Sequence, residues 1–349
     1  MVYAFVYTHS SNGIPFTFEI NKAFFAYLHI MPYLRVIKCN RMRNNKRHGK
    51  KGPNQIFHYS PVEDTTLLPF LYMILAPKSK SDIKSMLAHN HVAVNGQPLT
   101  QFDTPLTPRD KVSVNFTRPF AVLRANQLHI IYEDKHLVVV EKAAGLLTMG
   151  RDTSKKTAQS LLTDYLKQKD ARSMAYVCHR LDQYTSGILV FAKDPDMQRE
   201  LRYNWDNYVR ERSYTAVVEG CPDVPQQELR HNLVENSNNM MVYVARKPDE
   251  GRLAVTRYRV VQSNDYHALL DIQIFTGRKN QIRVQLAEIG YPVAGDRKYG
   301  GATNPIGRLM LHNHRLSLVH PITRELMHFE APVPAAFRKV TAKVMNSDN

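Results

Sequence analysis

The sequence predicts an α+β protein, with a large domain on a largely antiparallel central sheet preceded by a small helix-and-hairpin unit. Three observations lead there. β-rich runs at 129–132, 137–140, 188–192, 214–218, 254–261 and 269–275 succeed one another without regular alternation with helices. Helical periodicity in that stretch is confined to 157–167 and 195–203, the second opened by Asp194 as a cap and Pro195 at the first helical position. Residues 63–116 carry a separate pattern of their own.

Composition bounds the function. The chain of 349 residues is long enough for one large domain or two, and 43% hydrophobic against 22% charged residues is globular usage. The excess of 47 Lys and Arg over 31 Asp and Glu gives a formal charge of +16. Such a surplus predicts attraction to a polyanion, nucleic acid first and an anionic membrane surface second, because phosphate contacts release condensed counterions. The three cysteines, Cys39, Cys178 and Cys221, stand at unrelated spacings, so neither a metal site nor a disulfide framework is expected, and a reducing cytoplasm is. The apolar stretch from Ala23 to Leu34 contains His29 and Pro32, is too short to span a bilayer and lacks the features of a secretory leader, so no membrane partner is expected.

In chain order, residues 1–62 read as a basic, flexible extension. Its segment from Arg35 to Lys51 holds eight Lys and Arg and no acid, and Met31 or Met42 are alternative starts. Residues 63–116 form a compact unit. Leu67, Leu68, Leu71, Ile74 and Leu75 recur at helical spacing before Pro77. Ser81 is placed to cap a second helix carrying Ile83, Met86 and Leu87, with Lys78, Lys80 and Lys84 beside them. A strand over His91–Val94 ends in an Asn95-Gly96 turn, and Val112 and Val114 alternate in a closing strand. A linker over 117–126 leads to the large domain, 127–349.

The most informative string is His179-Arg180-Leu181-Asp182-Gln183-Tyr184-Thr185-Ser186-Gly187, running into Ile188-Leu189-Val190-Phe191-Ala192-Lys193. It is a polar loop with a tight turn entering a buried strand, so Asp182 sits where a rigid scaffold can hold a loop residue in place. In isolation an aspartate beside a turn is more often a cap than a catalyst. The whole string, however, resembles the signature of RluA-type RNA pseudouridine synthases, H-R-L-D-x-x-T-S-G-x-x-x-x-A-K. Three further segments resemble that family in order: Leu137–Leu147, with Ala143 where proline is usual; Arg212-Ser213-Tyr214, with Arg212 where lysine is usual; and Thr276-Gly277-Arg278-Lys279-Asn280-Gln281-Ile282-Arg283, with Asn280 in place of histidine. The last leads into Gly290–Asp296 and Tyr299-Gly300. Residues 63–116 resemble the S4-like RNA-binding module in layout and in the phrase Val-Ala-Val-Asn-Gly.

The resemblance implies the pseudouridine synthase fold and the isomerisation of uridine in RNA. The N1–C1′ bond breaks, the uracil turns, and C5 bonds to C1′. Asp182 is then the catalytic carboxylate, acting either on C1′ or by promoting elimination. Arg180 supports flipping of the base, Tyr214 stacks on it and helps remove the C5 proton, and Arg278, in preference to Arg283, pairs with Asp182. Ile282 gives the pocket an apolar wall, and Lys78, Lys80 and Lys84 contact RNA. No metal or organic cofactor is implied. The expected partner is RNA, 23S ribosomal RNA ahead of transfer RNA, and the expected state is a monomer. Rival readings are a non-catalytic RNA-binding ribosome-assembly factor and a hydrolytic glycosylase. His312, His314, His320 and His328 read as ordinary core or surface histidines rather than metal ligands, with 312 and 314 on one face if their segment is a strand.

Overall fold

The computed structural model describes residues 55–150, 155–247 and 249–343, and the chain divides into two compact units between Phe120 and Ala121. The basic run from Arg35 to Lys51 and the alternative starts lie outside the described residues. Among the described residues, no helix is long and apolar enough to cross a membrane.

In the smaller unit, β1 (Ile56–Tyr59), β2 (Thr65–Thr66), α1 (Leu67–Ile74), α2 (Lys80–Ala88), β3 (Val92–Val94), β4 (Gln97–Pro98), β5 (Pro105–Leu106) and β6 (Val112–Asn115) follow in order. Leu67, Phe70 and Leu71 of α1 and Ile83 and Leu87 of α2 close over Val92, Val112 and Val114, which is the core that the helical spacing predicts. Ser79, not Ser81, caps α2: its hydroxyl accepts from the Asp82 amide at 3.0 Å. Asn95 and Gly96 both have positive φ, so the β3–β4 hairpin turns as its Asn-Gly pair requires. β6 departs from the expected alternation. All four of its residues are buried, because it is a central strand between β3 and β1. β1 itself falls in the stretch read as an extension, since Ile56–Tyr59 pairs with β6 across a separation that no local pattern reveals.

The larger unit is built on one sheet, in the order β13-β12-β14-β15-β11-β16-β10-β8-β7. Its strands are β7 (Leu128–Glu133), β8 (Leu137–Lys142), β9 (Tyr176–Val177), β10 (Ser186–Ala192), β11 (Val209–Glu219), β12 (Gln226–Glu235), β13 (Val242–Val244), β14 (Arg252–Ser263), β15 (His267–Ile274), β16 (Leu311–Val319) and β17 (Leu326–Glu330). Pairing is antiparallel except between β10 and β16. Both faces are covered, which explains the unbroken apolar runs. Val138, Val140, Leu189 and Phe191 enter one core with α3 (Ala158–Lys167), while Leu137, Val139, Ile188 and Val190 enter a second with α4 (Pro195–Tyr203). Asp194 caps α4 as expected, its carboxylate accepting from the Met197 amide at 2.8 Å. The short α5 (Trp205–Tyr208), α6 (Gln281–Glu288) and α7 (Ala335–Val340) complete the unit.

The parallel β10–β16 pair depends on one residue. Gly187 has φ of +116°, and a Cβ there would stand 2.1 Å from the Asn313 carbonyl oxygen. Glycine thus lets the backbone that follows the Asp182 loop lie directly against β16.

A candidate active site around Asp182

Asp182 lies between two anchored residues. On one side, the Thr148 hydroxyl donates to the Leu181 carbonyl at 2.7 Å and accepts from the Leu181 amide at 3.3 Å. On the other, the fully buried Lys142 at the end of β8 donates to the carbonyls of Ala143, Leu146 and Gln183 at 2.9–3.1 Å. Burial pulls the Lys142 ammonium down to about 8, against the favourable charge of Asp182, so it is still charged at neutral pH. The turn is closed by Gly145, whose amide donates to the Gln183 carbonyl at 2.9 Å, and by Gln183, whose amide group donates to the Gly145 carbonyl at 3.0 Å. Chain on both sides of the carboxylate is therefore fixed, while its side chain is one-third exposed to a cleft.

That cleft has a volume of about 900 Å³ and is lined by Arg180, Asp182, Trp205, Arg212, Tyr214, Arg278, Ile282 and Arg283, among others. The sequence-derived candidates of the larger unit thus meet in one place. Arg180 stands exposed at its mouth, and Ile282 is buried in its wall. Tyr214 is only 8% exposed, and burial pushes its phenol up to about 12. At neutral pH it is protonated, a flat face with a hydroxyl rather than an anionic base. His179 sits against Trp205 with ring centroids 4.5 Å apart and accepts the Val190 amide at 3.0 Å. Burial lowers it to about 3, which keeps it a neutral acceptor that ties the loop to β10. Lys78, Lys80 and Lys84 belong to the smaller unit, where all three are exposed.

One expectation is reversed. Arg283, not Arg278, pairs with Asp182, Nη1 to Oδ2 at 3.2 Å. Arg283 lies in the first turn of α6, where side chains lean toward the helix N-terminus and so toward the cleft. Arg278 precedes the helix, and its Nε instead donates to the Leu253 carbonyl at 3.0 Å on the neighbouring strand. The turn between them is fixed by the buried Gln281, which accepts from the Arg278 amide at 3.0 Å and the Thr276 hydroxyl at 2.8 Å.

Sequence reasoning missed what holds Arg283. Asp296, only 1% exposed, takes its Nε and Nη2 in a fork, both at 2.7 Å, and accepts the backbone amides of Lys298 and Tyr299 as well. The remaining edge of the guanidinium donates to Asp182 and to the Asn280 side-chain amide oxygen, while its Cζ stands 5.0 Å from the centroid of the Tyr299 ring. Asn280, at φ 52°, also donates to the Tyr299 hydroxyl at 2.9 Å, so the residue in the histidine's place serves the support of Arg283. The only signal in the sequence is that Asp296 falls within the segment 290–296.

The four C-terminal histidines are engaged with hydroxyls or backbone. His312 and His314 do share a strand, β16. Their Nδ1 atoms meet the Ser186 hydroxyl at 2.8 Å and the Thr215 hydroxyl at 3.1 Å. His328 meets the Ser317 hydroxyl at 2.8 Å, and His320 accepts the amides of Ile322 and Thr323. Burial takes His312 down to about 4. Among the described residues, no group of three His, Cys, Asp or Glu side chains is placed to hold a metal.

The chain is 30% identical over 268 residues to YhcT of Bacillus subtilis strain 168, an uncharacterized RNA pseudouridine synthase, covering 75% of this chain and 88% of the relative. This chain belongs to the RNA pseudouridine synthase family. The family pattern described as RNA pseudouridylate synthase matches residues 136–288, a span that contains Asp182, Tyr214 and Arg283. The ribosomal large subunit pseudouridine synthase D of Buchnera aphidicola is 29% identical, with 76% of this chain and 90% of that relative covered. In structure, human RNA pseudouridylate synthase domain containing 4 superposes with a TM-score of 0.50 at 26% identity, over 60% of this chain and 90% of that one. As a pseudouridine synthase the protein is an isomerase that acts on RNA.

Proposed function

We propose that this pseudouridine synthase is of the RluA type and isomerises uridines in the large-subunit ribosomal RNA with Asp182 as the catalytic carboxylate. The observation that carries this reading is the arrangement at Asp182: a carboxylate anchored through its neighbours, paired with an arginine that a buried aspartate orients, in a cleft walled by Tyr214 and Ile282. Arg283 holds the carboxylate through its Nη1 at 3.2 Å, leaving it to attack C1′ or to promote elimination there. Either path breaks N1–C1′ and forms C5–C1′. C5 gives up a proton and N1 gains one, so no co-reactant is consumed. Tyr214 offers a face on which the flipped uracil stacks, and its protonated hydroxyl is a hydrogen-bond partner rather than a resident base. Arg180, exposed at the mouth, is placed to fill the space that the base vacates, at the expense of a few kcal/mol of unstacking.

The ribosomal assignment draws on the smaller unit and on the Buchnera relative. Two helices followed by an Asn-Gly hairpin, with Lys78, Lys80 and Lys84 exposed on and beside α2, fit an S4-like RNA-binding module.

The test compares RNA from cells lacking the gene with RNA from cells rescued by the wild type or by Asp182→Asn, mapping pseudouridine by carbodiimide-dependent reverse-transcription stops. Stops in the large-subunit RNA should vanish on deletion, return with the wild type and stay absent with Asp182→Asn. Full restoration by Asp182→Asn would refute the assignment of the carboxylate. Loss of stops in transfer RNA alone would move the substrate, and release of free uracil would replace isomerisation with hydrolysis.

A further inference from the structure

Arg212 stands two residues before Tyr214 on β11, so the two side chains share a face of the strand and both line the Asp182 cleft. Its side chain is 11% exposed, yet the guanidinium is poorly matched. Among the described residues its one ion pair is with Asp206 at 3.7 Å, too long for a good hydrogen bond, and the Asp206 side chain is 83% exposed. Its five N–H donors thus keep only a narrow opening to solvent, with no close carboxylate to fit them. A like charge makes the imbalance worse, because Arg278 lines the same cleft and acts on Arg212 with the same sign. Burial accordingly pulls Arg212 below the ordinary arginine range.

The fold makes room for this cation instead of relieving it. Gly277 packs against it so closely that a Cβ there would come within 2.9 Å of Arg212 Nη1. The other arginine with a buried head in the wall of the cleft, Arg283, has Asp296 and Asp182 as acceptors. A mostly buried, forked cation that shares a cleft with a second arginine is a seat for a phosphate, whose oxygens satisfy guanidinium edges and offset the two positive charges.

We propose that Arg212, with Arg278 of the same cleft, binds a backbone phosphate of the RNA strand beside the uridine that enters the cleft. This rests on the reading of the cleft as the site that receives RNA. Arg212 is on this account a binding residue that places the strand, and Asp182 is left to Arg283.

The test measures binding, which needs no turnover. Filter binding of unmodified large-subunit ribosomal RNA transcript is followed between 50 and 300 mM salt for the wild type, Arg212→Met and Arg212→Lys, with thermal melting of each. Arg212→Met should bind roughly 10- to 100-fold more weakly, the loss of a charge-assisted hydrogen bond. Its slope of log affinity against log salt should shrink by about 0.7 to 0.9, the value of one phosphate contact. Arg212→Lys should recover the slope without the full affinity, because it keeps the charge and loses the fork. Should Arg212→Met not fold, Arg212→Gln supplies the same reading. A folded neutral variant with unchanged affinity and slope overturns the proposal, as does a weaker affinity with no change of slope, the mark of a merely structural arginine. If the wild type binds with the expected slope but makes no pseudouridine, the catalytic reading of Asp182 fails while the phosphate seat stands.

Discussion

Arg283 shows how much a single guanidinium can organise when its edges are divided. Two of its nitrogens are committed to buried Asp296, which needs them because a buried carboxylate without a partner is costly. The third is thereby aimed at Asp182. Removing the arginine outright would strand Asp296, at about 3–5 kcal/mol. Arg283→Lys is therefore the useful variant: it keeps a charge but cannot form the fork and the contact to Asp182 together. We expect it to lower stability by about 1–3 kcal/mol in urea unfolding, within the usual range for losing a charged hydrogen bond, and to lower kcat at saturating RNA by more than tenfold. Arg278→Met should leave stability nearly unchanged, since Arg278 is exposed and, among the described residues, its side chain donates only to the Leu253 carbonyl. It should raise KM more than it lowers kcat. A larger kcat loss in Arg278→Met than in folded Arg283→Lys would restore Arg278 as the partner of the carboxylate.

At the scale of elements, the site is assembled where strand β10 leaves the Asp182 loop and runs parallel to β16. A parallel pairing inside an otherwise antiparallel sheet brings distant segments together, and here it also seats Ser186 against buried His312. Gly187→Ala must separate the two strands or strain a φ of +116°. We expect a loss of about 3 kcal/mol or more, at the upper end for a single backbone substitution, seen as an earlier midpoint in urea. An alanine variant of wild-type stability would show that the backbones do not approach so closely. The loop is tied down from the other direction by Lys142 and Thr148, on and just after β8, so Asp182 is held by both strands that flank β10.

For the whole molecule, charge and division into two units matter most. A formal +16 favours association with a polyanion without regard to sequence, and Lys78, Lys80 and Lys84 of the smaller unit are exposed. Replacing Lys78, Lys80 and Lys84 together by alanine should reduce the salt slope of RNA binding by about 0.7 to 0.9 for each phosphate that is no longer neutralised. Conversion at saturating RNA should be unaffected, because none of the three lines the Asp182 cleft. An unchanged slope would remove the smaller unit's helix α2 from RNA binding.

The sequence by itself determined the parts whose cause is local. The capped start of α4, the Asn-Gly hairpin, the doubly buried runs of β8 and β10, and the loop carrying Asp182 all follow from patterns within a few residues. Tertiary structure alone decided which groups meet. Arg278 and Arg283 are equally plausible partners in a linear string, and only the orientation of α6 and the anchor at Asp296 separate them. β1, read as part of an extension, becomes a strand because β6 has an edge to pair with. The under-matched charge of Arg212 is likewise invisible in sequence, since burial and the distance to an acceptor belong to the fold. Periodicity and turn chemistry act along the chain, whereas ion pairs and strand edges act across it, between residues as far apart as Asp182 and Arg283.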